Sequence, residues 1–183
     1  MALRIKSTWR SESTKSLKEN ADALAYIAWR LAMDKAINLH GKDYVYDSDG
    51  QRMAVIAEYL AFEVQVADRL AYDRMDDDQR REYINAFGRR LAEHIQDNLT
   101  DLFGPGDYAA SFIERLNERM DEYAAFEFKD DKPGYAFYRY LGERIQAIMG
   151  GKDLNRWVID QVMDIDAPEV LKNLRNSMDD LLC

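Results

Sequence analysis

Residues 51–74, QRMAVIAEYLAFEVQVADRLAYDR, decide the fold of this chain. Apolar residues recur along this stretch at helical spacing and cover more than half of the circumference of the helix that they predict. A helix that is apolar on several sides must be surrounded by neighbours, because only other apolar surfaces can cover it. We therefore predict an all-α fold in which this segment is the central helix of a bundle.

Start and stop signals for further helices lie on both sides of the central segment. Ser13 to Ser16 can cap a first helix, and His40-Gly41 has the features of its carboxyl end. Asp76 to Asp78 and Asp107 can cap a third and a fourth helix. Later boundaries are predicted at Tyr135, Gly150-Gly151, Asp153 and Ala167-Pro168, with the last helix ending near Leu182, which gives about six to seven helices.

The start and stop signals of these helices predict one helical domain over residues 1–183. A basic arm occupies residues 1–12, the main bundle residues 13–127, and the C-terminal helices of residues 133–183 pack on that bundle. Partial alternation in Leu3 to Trp9 and in residues 42–49 suggests a minor two-stranded ribbon near the N-terminus. Gly88 and Gly142 each lie inside a predicted helix, where glycine costs about 1 kcal/mol relative to alanine, so we expect them to mark close helix crossings.

Composition excludes some classes of partner. The formal charge of −9 and a pI near 4.8 oppose general binding to nucleic acid or to anionic lipid. Apolar windows are broken by charges well before the ~20 residues that a membrane span requires. The basic arm has no apolar run or small-residue cleavage site, so we read it as a packed segment rather than a signal. The single cysteine, Cys183, favours a reducing, cytoplasmic setting.

No catalytic or cofactor motif is found in the sequence. Neither His40 nor His94 follows a glutamate by three positions, as di-iron bundles require. A calcium loop that starts at Asp47 would place Arg52 where the turn needs glycine. The sequence also lacks a nucleophile elbow and a phosphate-binding glycine loop. We therefore predict no catalytic residue, no metal and no cofactor.

Polar residues interrupt the apolar surface of the central helix and form the first candidate site. Three interpretations stay open: exposure to solvent, a buried network of ion pairs with arginines of neighbouring helices, or a pocket with polar anchors and a proton carrier on the next helix. The expected arginine partners are Arg30, Arg90, Arg119 and Arg144. The candidate pocket residues are Glu58, Glu63, Asp68, Arg69 and His94.

Aromatic residues are dense on both sides of one predicted turn and form the second candidate. Four of them crowd the first turns of the fifth helix and cannot share one face at helical spacing, so some should be exposed or buried against a partner. The candidate interface residues are Tyr123, Phe126, Phe128, Tyr135, Phe137, Tyr138 and Tyr140. We name the segment from Tyr123 to Tyr140 the aromatic hairpin.

These observations favour a non-enzymatic helical protein with an adaptor or assembly role. We expect it to act through protein contacts, with self-association through the aromatic hairpin, because aromatic residues are common in protein interfaces. The alternative is a helical bundle that binds or converts a small molecule in the polar pocket beside the central helix.

Overall fold

The computed structural model describes residues 15–41, 44–151 and 153–183. The predicted basic arm and the predicted strand Leu3 to Trp9 lie outside this range. The all-α class is confirmed in the described residues. Their helices are α1 (Leu17–Gly41), α2 (Asp49–Ala71), α3 (Asp77–Phe103), α4 (Tyr108–Ala124), α5 (Tyr135–Met149), α6 (Val158–Gln161) and α7 (Ala167–Leu181), with a 3-10 turn at Asp153–Asn155 and a π-helix at Val162–Asp166.

Local capping explains where several helices begin. Asp76 accepts a hydrogen bond from the backbone N–H of Gln79, and the Gln79 side chain accepts one from the backbone of Asp76, which makes a reciprocal capping box for α3. Ser48 accepts from the backbone N–H of Gln51, so α2 begins two residues earlier than predicted. Asp107 caps α4 through the N–H of Ala110. These bonds satisfy amides that have no partner inside their own helix.

The central position of α2 is confirmed. It packs against α1, α3, α4, α5 and α7, and its buried residues run from Met53 to Ala71. Burial of so many side chains on all sides of one helix removes a large apolar area from water, which is the main favourable term in folding. The surrounding helices therefore meet at α2, and any polar side chain on it must find a partner or a pocket between them.

The seventh helix begins at Ala167 and ends at Leu181, as predicted, but it continues directly from α6. Residues 158–181 form one continuous helical rod that passes through the π-helix. The backbone N–H of Ala167 donates to the carbonyl of Val162, five residues earlier. Pro168 lies in the first turn of α7 and has no N–H to donate. The wider turn thus accommodates the proline without ending the helix.

The observed ribbon lies elsewhere than predicted. Strands β1 (Phe128–Lys129) and β2 (Lys132–Pro133) pair antiparallel between α4 and α5. Asp130 and Asp131 turn the chain with φ of 50° and 57°, a left-handed conformation that aspartate tolerates better than most residues. Residues 44–48, the described part of the predicted second strand before α2, form no strand.

Both helical glycines lie at close helix crossings, as predicted. A Cβ at Gly88 would lie 3.2 Å from the Leu116 side chain of α4. A Cβ at Gly142 would lie 3.2 Å from Ile159 Cγ2 and 3.3 Å from the Ile159 carbonyl oxygen. The absence of a side chain lets α3 approach α4 and lets α5 approach α6.

Candidate functional site

The polar residues of α2 point in different directions and do not form one site. Glu58 is 2 % exposed and receives two hydrogen bonds from the Arg119 guanidinium of α4, at 2.8 and 2.9 Å. Arg119 is one of the four arginines expected as partners. The pairing gives Glu58 a bidentate, buried ion pair, which is the arrangement that keeps a buried charge tolerable.

Glu63 is fully buried, and neither carboxyl oxygen has a hydrogen-bond partner among the described residues. Burial raises its pKa well above the ordinary value of 4.5. The charged form is disfavoured because the interior cannot solvate it. Burial therefore favours the protonated form of Glu63 in the folded protein, which argues against a role as an anionic anchor.

His94 lies on α3 and faces α1 rather than the polar residues of α2. Its ring centroid is 5.7 Å from that of Trp29. Burial, followed by the positive charge of Arg90, lowers the pKa of His94. The structure therefore separates this predicted proton carrier from the carboxylates that it was expected to serve.

Asp68 and Arg69 do line a pocket, which opens between the end of α2, the start of α3, the end of α4 and the ribbon. Its volume is about 490 Å³. We name it the acidic pocket, because five aspartates and two arginines lie on its wall. The lining residues are Gln65, Asp68, Arg69, Tyr72, Asp73, Arg80, Met120, Asp121, Ala124, Phe128, Asp130 and Asp131.

Both arginines of the acidic pocket are already engaged. Arg69 Nη2 donates to the carbonyl of Ala124 at 3.2 Å and so binds the carboxyl end of α4. Arg80 lies 3.8 Å from an oxygen of Asp68, and its guanidinium stands 5.0 Å from the centre of the Tyr72 ring. Burial raises the pKa of Asp68, against the opposing effect of the two arginines.

The other four carboxylates of the acidic pocket have no cationic partner among the described side chains, although the Arg175 guanidinium donates to the backbone carbonyl of Asp131. The side chains of Asp73, Asp121, Asp130 and Asp131 are exposed, and they form no hydrogen bond or ion pair within the described part of the chain. Gln65 also lines the pocket, but it is 2 % exposed, and its Oε1 is enclosed without a hydrogen bond from a described residue. The pocket thus presents unbalanced negative charge.

Metal binding is not favoured by the arrangement of these acids. Over residues 15–41, 44–151 and 153–183, no group of three or more His, Cys, Asp or Glu side chains is placed to hold a metal ion. A divalent cation needs several oxygen ligands within about 2.6 Å.

The aromatic hairpin is mainly an internal cluster. Tyr123 and Phe137 are fully buried, with ring centroids 4.6 Å apart. Phe126, Phe128, Tyr138 and Tyr140 are partly buried and pack on the same core. Tyr135 is the exposed member, with 69 % of its surface accessible. Most of the aromatic side chains crowded on α5 therefore pack into the core and do not form an exposed face.

Sequence reasoning missed a buried polar network where α1, α2 and the π-helix meet. The Tyr59 hydroxyl donates to Asp166 at 2.9 Å, and Lys35 Nζ lies 4.0 Å from the other oxygen of Asp166 and pairs with Glu169. Burial raises the pKa of Asp166, although hydrogen bonds from Tyr59 and Gln161 and the charge of Lys35 oppose the shift. The network fixes the C-terminal rod against the central helix. In the sequence, the lysine at position 35, among the apolar residues of α1, is the signal that could have indicated this network.

Comparisons with known proteins add no functional information. No family model, curated protein or solved structure matches this chain. Within the described residues, no helix is long and apolar enough to cross a membrane.

Proposed function

We propose that this chain is a non-enzymatic binding protein whose acidic pocket receives a basic side chain, lysine or arginine, of a protein partner. The observation that carries the proposal is the set of unpaired carboxylates on Asp73, Asp121, Asp130 and Asp131 around an open pocket of about 490 Å³. An ammonium or guanidinium group would supply the missing positive charge and several hydrogen-bond donors.

The remaining lining of the acidic pocket suits the same ligand. Tyr72 is 63 % exposed, and Phe128 lies on the opposite wall, so aromatic surface is available to a cation or to its apolar stem.

The charge of the whole chain supports association with a basic partner. A formal charge of −9 attracts cationic surfaces and raises their rate of encounter. Overall charge alone, however, would act equally at every acidic surface. The proposal is therefore tested by comparing acids inside and outside the pocket at the same total charge.

The test measures binding of a fluorescein-labelled hexa-arginine peptide by fluorescence anisotropy in about 0.15 M salt. The pocket variant carries Asp130→Asn and Asp131→Asn, because asparagine also tolerates the left-handed conformation of this turn. The control carries Asp101→Asn and Asp164→Asn, two exposed acids outside the pocket. Both variants have a formal charge of −7 instead of −9.

We expect the pocket variant to bind the peptide about two- to thirtyfold more weakly than the control, since each exposed ion pair contributes roughly 0.2–1 kcal/mol. A labelled hexaglutamate peptide should not bind. Equal loss in the two double variants would show that the peptide responds only to total charge, and the pocket assignment would then be discarded.

The predicted self-association remains a separate proposal with less support. Its surface, the aromatic hairpin, has one strongly exposed ring, Tyr135, while its other aromatic side chains pack inward. The alternative of a small-molecule site with Glu58, Glu63 and His94 as anchors has no common cavity to support it, because each of these groups faces a different neighbour.

A further inference from the structure

A second concave surface lies at the other end of α4 from the acidic pocket. It is a groove of about 180 Å³ between α2, α3 and α4. Met53 and Ala57 of α2, Ile95 and Leu99 of α3, and Phe112 of α4 form its apolar lining. We name it the apolar groove.

The wall of the apolar groove on α4 is held in place by one side chain of α3. Gln96 Oε1 accepts hydrogen bonds from the backbone N–H groups of Tyr108 and Ala109, each at 2.9 Å. Its Nε2 donates to the carbonyl of Gly106 at 2.8 Å. The start of α4 is thereby fixed against α3, so the groove is formed before any ligand arrives and little ordering has to accompany binding.

Arg115 lies at the edge of the apolar groove and is partly buried. Among the residues that the structure describes, no carboxylate, carbonyl or aromatic ring contacts its guanidinium. By contrast, Arg119, one turn further along α4, is paired with Glu58 and Glu122. A partly desolvated guanidinium beside apolar surface is suited to bind a planar anionic group bidentately.

We propose that the apolar groove binds a small monocarboxylate, with its apolar part against Ala57, Leu99 and Phe112 and its carboxylate on Arg115. The size is consistent with this ligand class, because a cavity of about 150 Å³ accommodates one benzene ring. The site is independent of the acidic pocket and of the function proposed for it.

Phenylacetate and its neutral counterpart phenylacetamide are the probes that test this proposal. Each is titrated into the full chain in about 0.15 M salt, and binding is followed in ¹H–¹⁵N correlation spectra. Arg115→Gln removes the charge of a guanidinium that has no hydrogen bond or ion pair among the described residues, so folding should be preserved. Arg89→Gln, an exposed and likewise unpaired arginine on α3, is the matched control.

We expect phenylacetate to shift the amide signals of Ala54, Ala57 and Ser111, and to bind about tenfold more tightly than phenylacetamide, since a hydrogen bond to a charged group contributes about 1.5 kcal/mol or more. Arg115→Gln should remove that difference, and Arg89→Gln should preserve it. Ala57→Leu, which fills the groove, should weaken both probes.

Three results would overturn the assignment. The first is the absence of shifts at the groove signals up to about ten millimolar phenylacetate, a concentration at which even weak fragments occupy a site. The second is equal affinity for acid and amide, which would show an apolar surface without recognition of the carboxylate. The third is the same loss of affinity in Arg89→Gln as in Arg115→Gln, which would show an effect of total charge.

Discussion

Replacement of Glu63 by leucine should stabilise this protein, and the gain should grow with pH. The carboxyl is completely buried on the central helix, and neither oxygen has a partner in the described residues. Leucine has a similar volume and no polar atom, so it removes the unsatisfied oxygens without opening a cavity. Because Glu63 is fully enclosed, solvent does not screen this effect.

The magnitude follows from two contributions. Unsatisfied buried polar groups cost about 1–3 kcal/mol, and this part is independent of pH. The second part arises because burial holds the pKa of Glu63 well above 4.5 in the folded state, while the unfolded chain ionises near that value. Between these two pKa values the folded state binds one proton more than the unfolded state. Stability of the natural protein therefore falls by about 1.4 kcal/mol for each pH unit above the unfolded pKa, until the folded pKa is reached.

The assay is urea unfolding of the natural chain, Glu63→Leu and Glu63→Gln at pH 5, 6 and 7. Glutamine keeps polar atoms in the same place but cannot titrate, so it separates the two contributions. Relative to the natural chain, the leucine variant should gain about 1.4 kcal/mol between pH 5 and pH 6, and glutamine should show the same slope with a smaller offset. A pH-independent difference, or a less stable leucine variant, would refute the protonated, unpartnered state of Glu63.

Two further substitutions test the packing around the central helix. Arg119→Ala should cost about 3–5 kcal/mol in urea unfolding, because it leaves Glu58 buried without its partner. The matched change Arg81→Ala breaks an exposed pair and should alter stability by less than about 0.5 kcal/mol; similar losses in both would contradict the argument. Gly142→Ala should lower stability by up to about 2 kcal/mol, because crowding of the new Cβ against α6 within 3.3 Å costs about 1–3 kcal/mol and alanine regains about 1 kcal/mol in the helix. In Gly151→Ala the Cβ has no neighbour within 4 Å, so its thermal midpoint should stay within a few degrees of the natural value, and an equal drop there would exclude crowding as the cause.

Helix positions were predictable because the signals that set them are local. The capping box between Asp76 and Gln79 spans four residues, and Gly104 and Gly150 end their helices with φ of 85° and 77°. Such groups interact with their own chain neighbours wherever the helix later packs. The ribbon was misplaced for a related reason. Its strands are two residues long, which is too short to show a period, and its turn depends on the left-handed conformation of Asp130 and Asp131.

Contacts between distant segments explain what the sequence did not reveal about the candidate site. Tyr59 and Asp166 are 107 positions apart, and their hydrogen bond exists because the π-helix carries Asp166 to the central helix. Glu58 and Asp68 lie on the same helix, yet one faces α4 in an ion pair and the other faces an open pocket. The spacing of Glu58 and Asp68 along α2 does not reveal which neighbouring helices or pockets these side chains face.

The sequence by itself determined an all-α chain with an apolar central helix, because periodicity and capping are properties of short segments. Only the tertiary structure decided which polar groups are neutralised, which stay unpaired, and where the acidic pocket and the apolar groove open. These outcomes depend on the rotation and separation of packed helices, which are set by side chains far apart in the chain. The unpaired aspartates and Arg115 emerged as candidate binding groups for that reason.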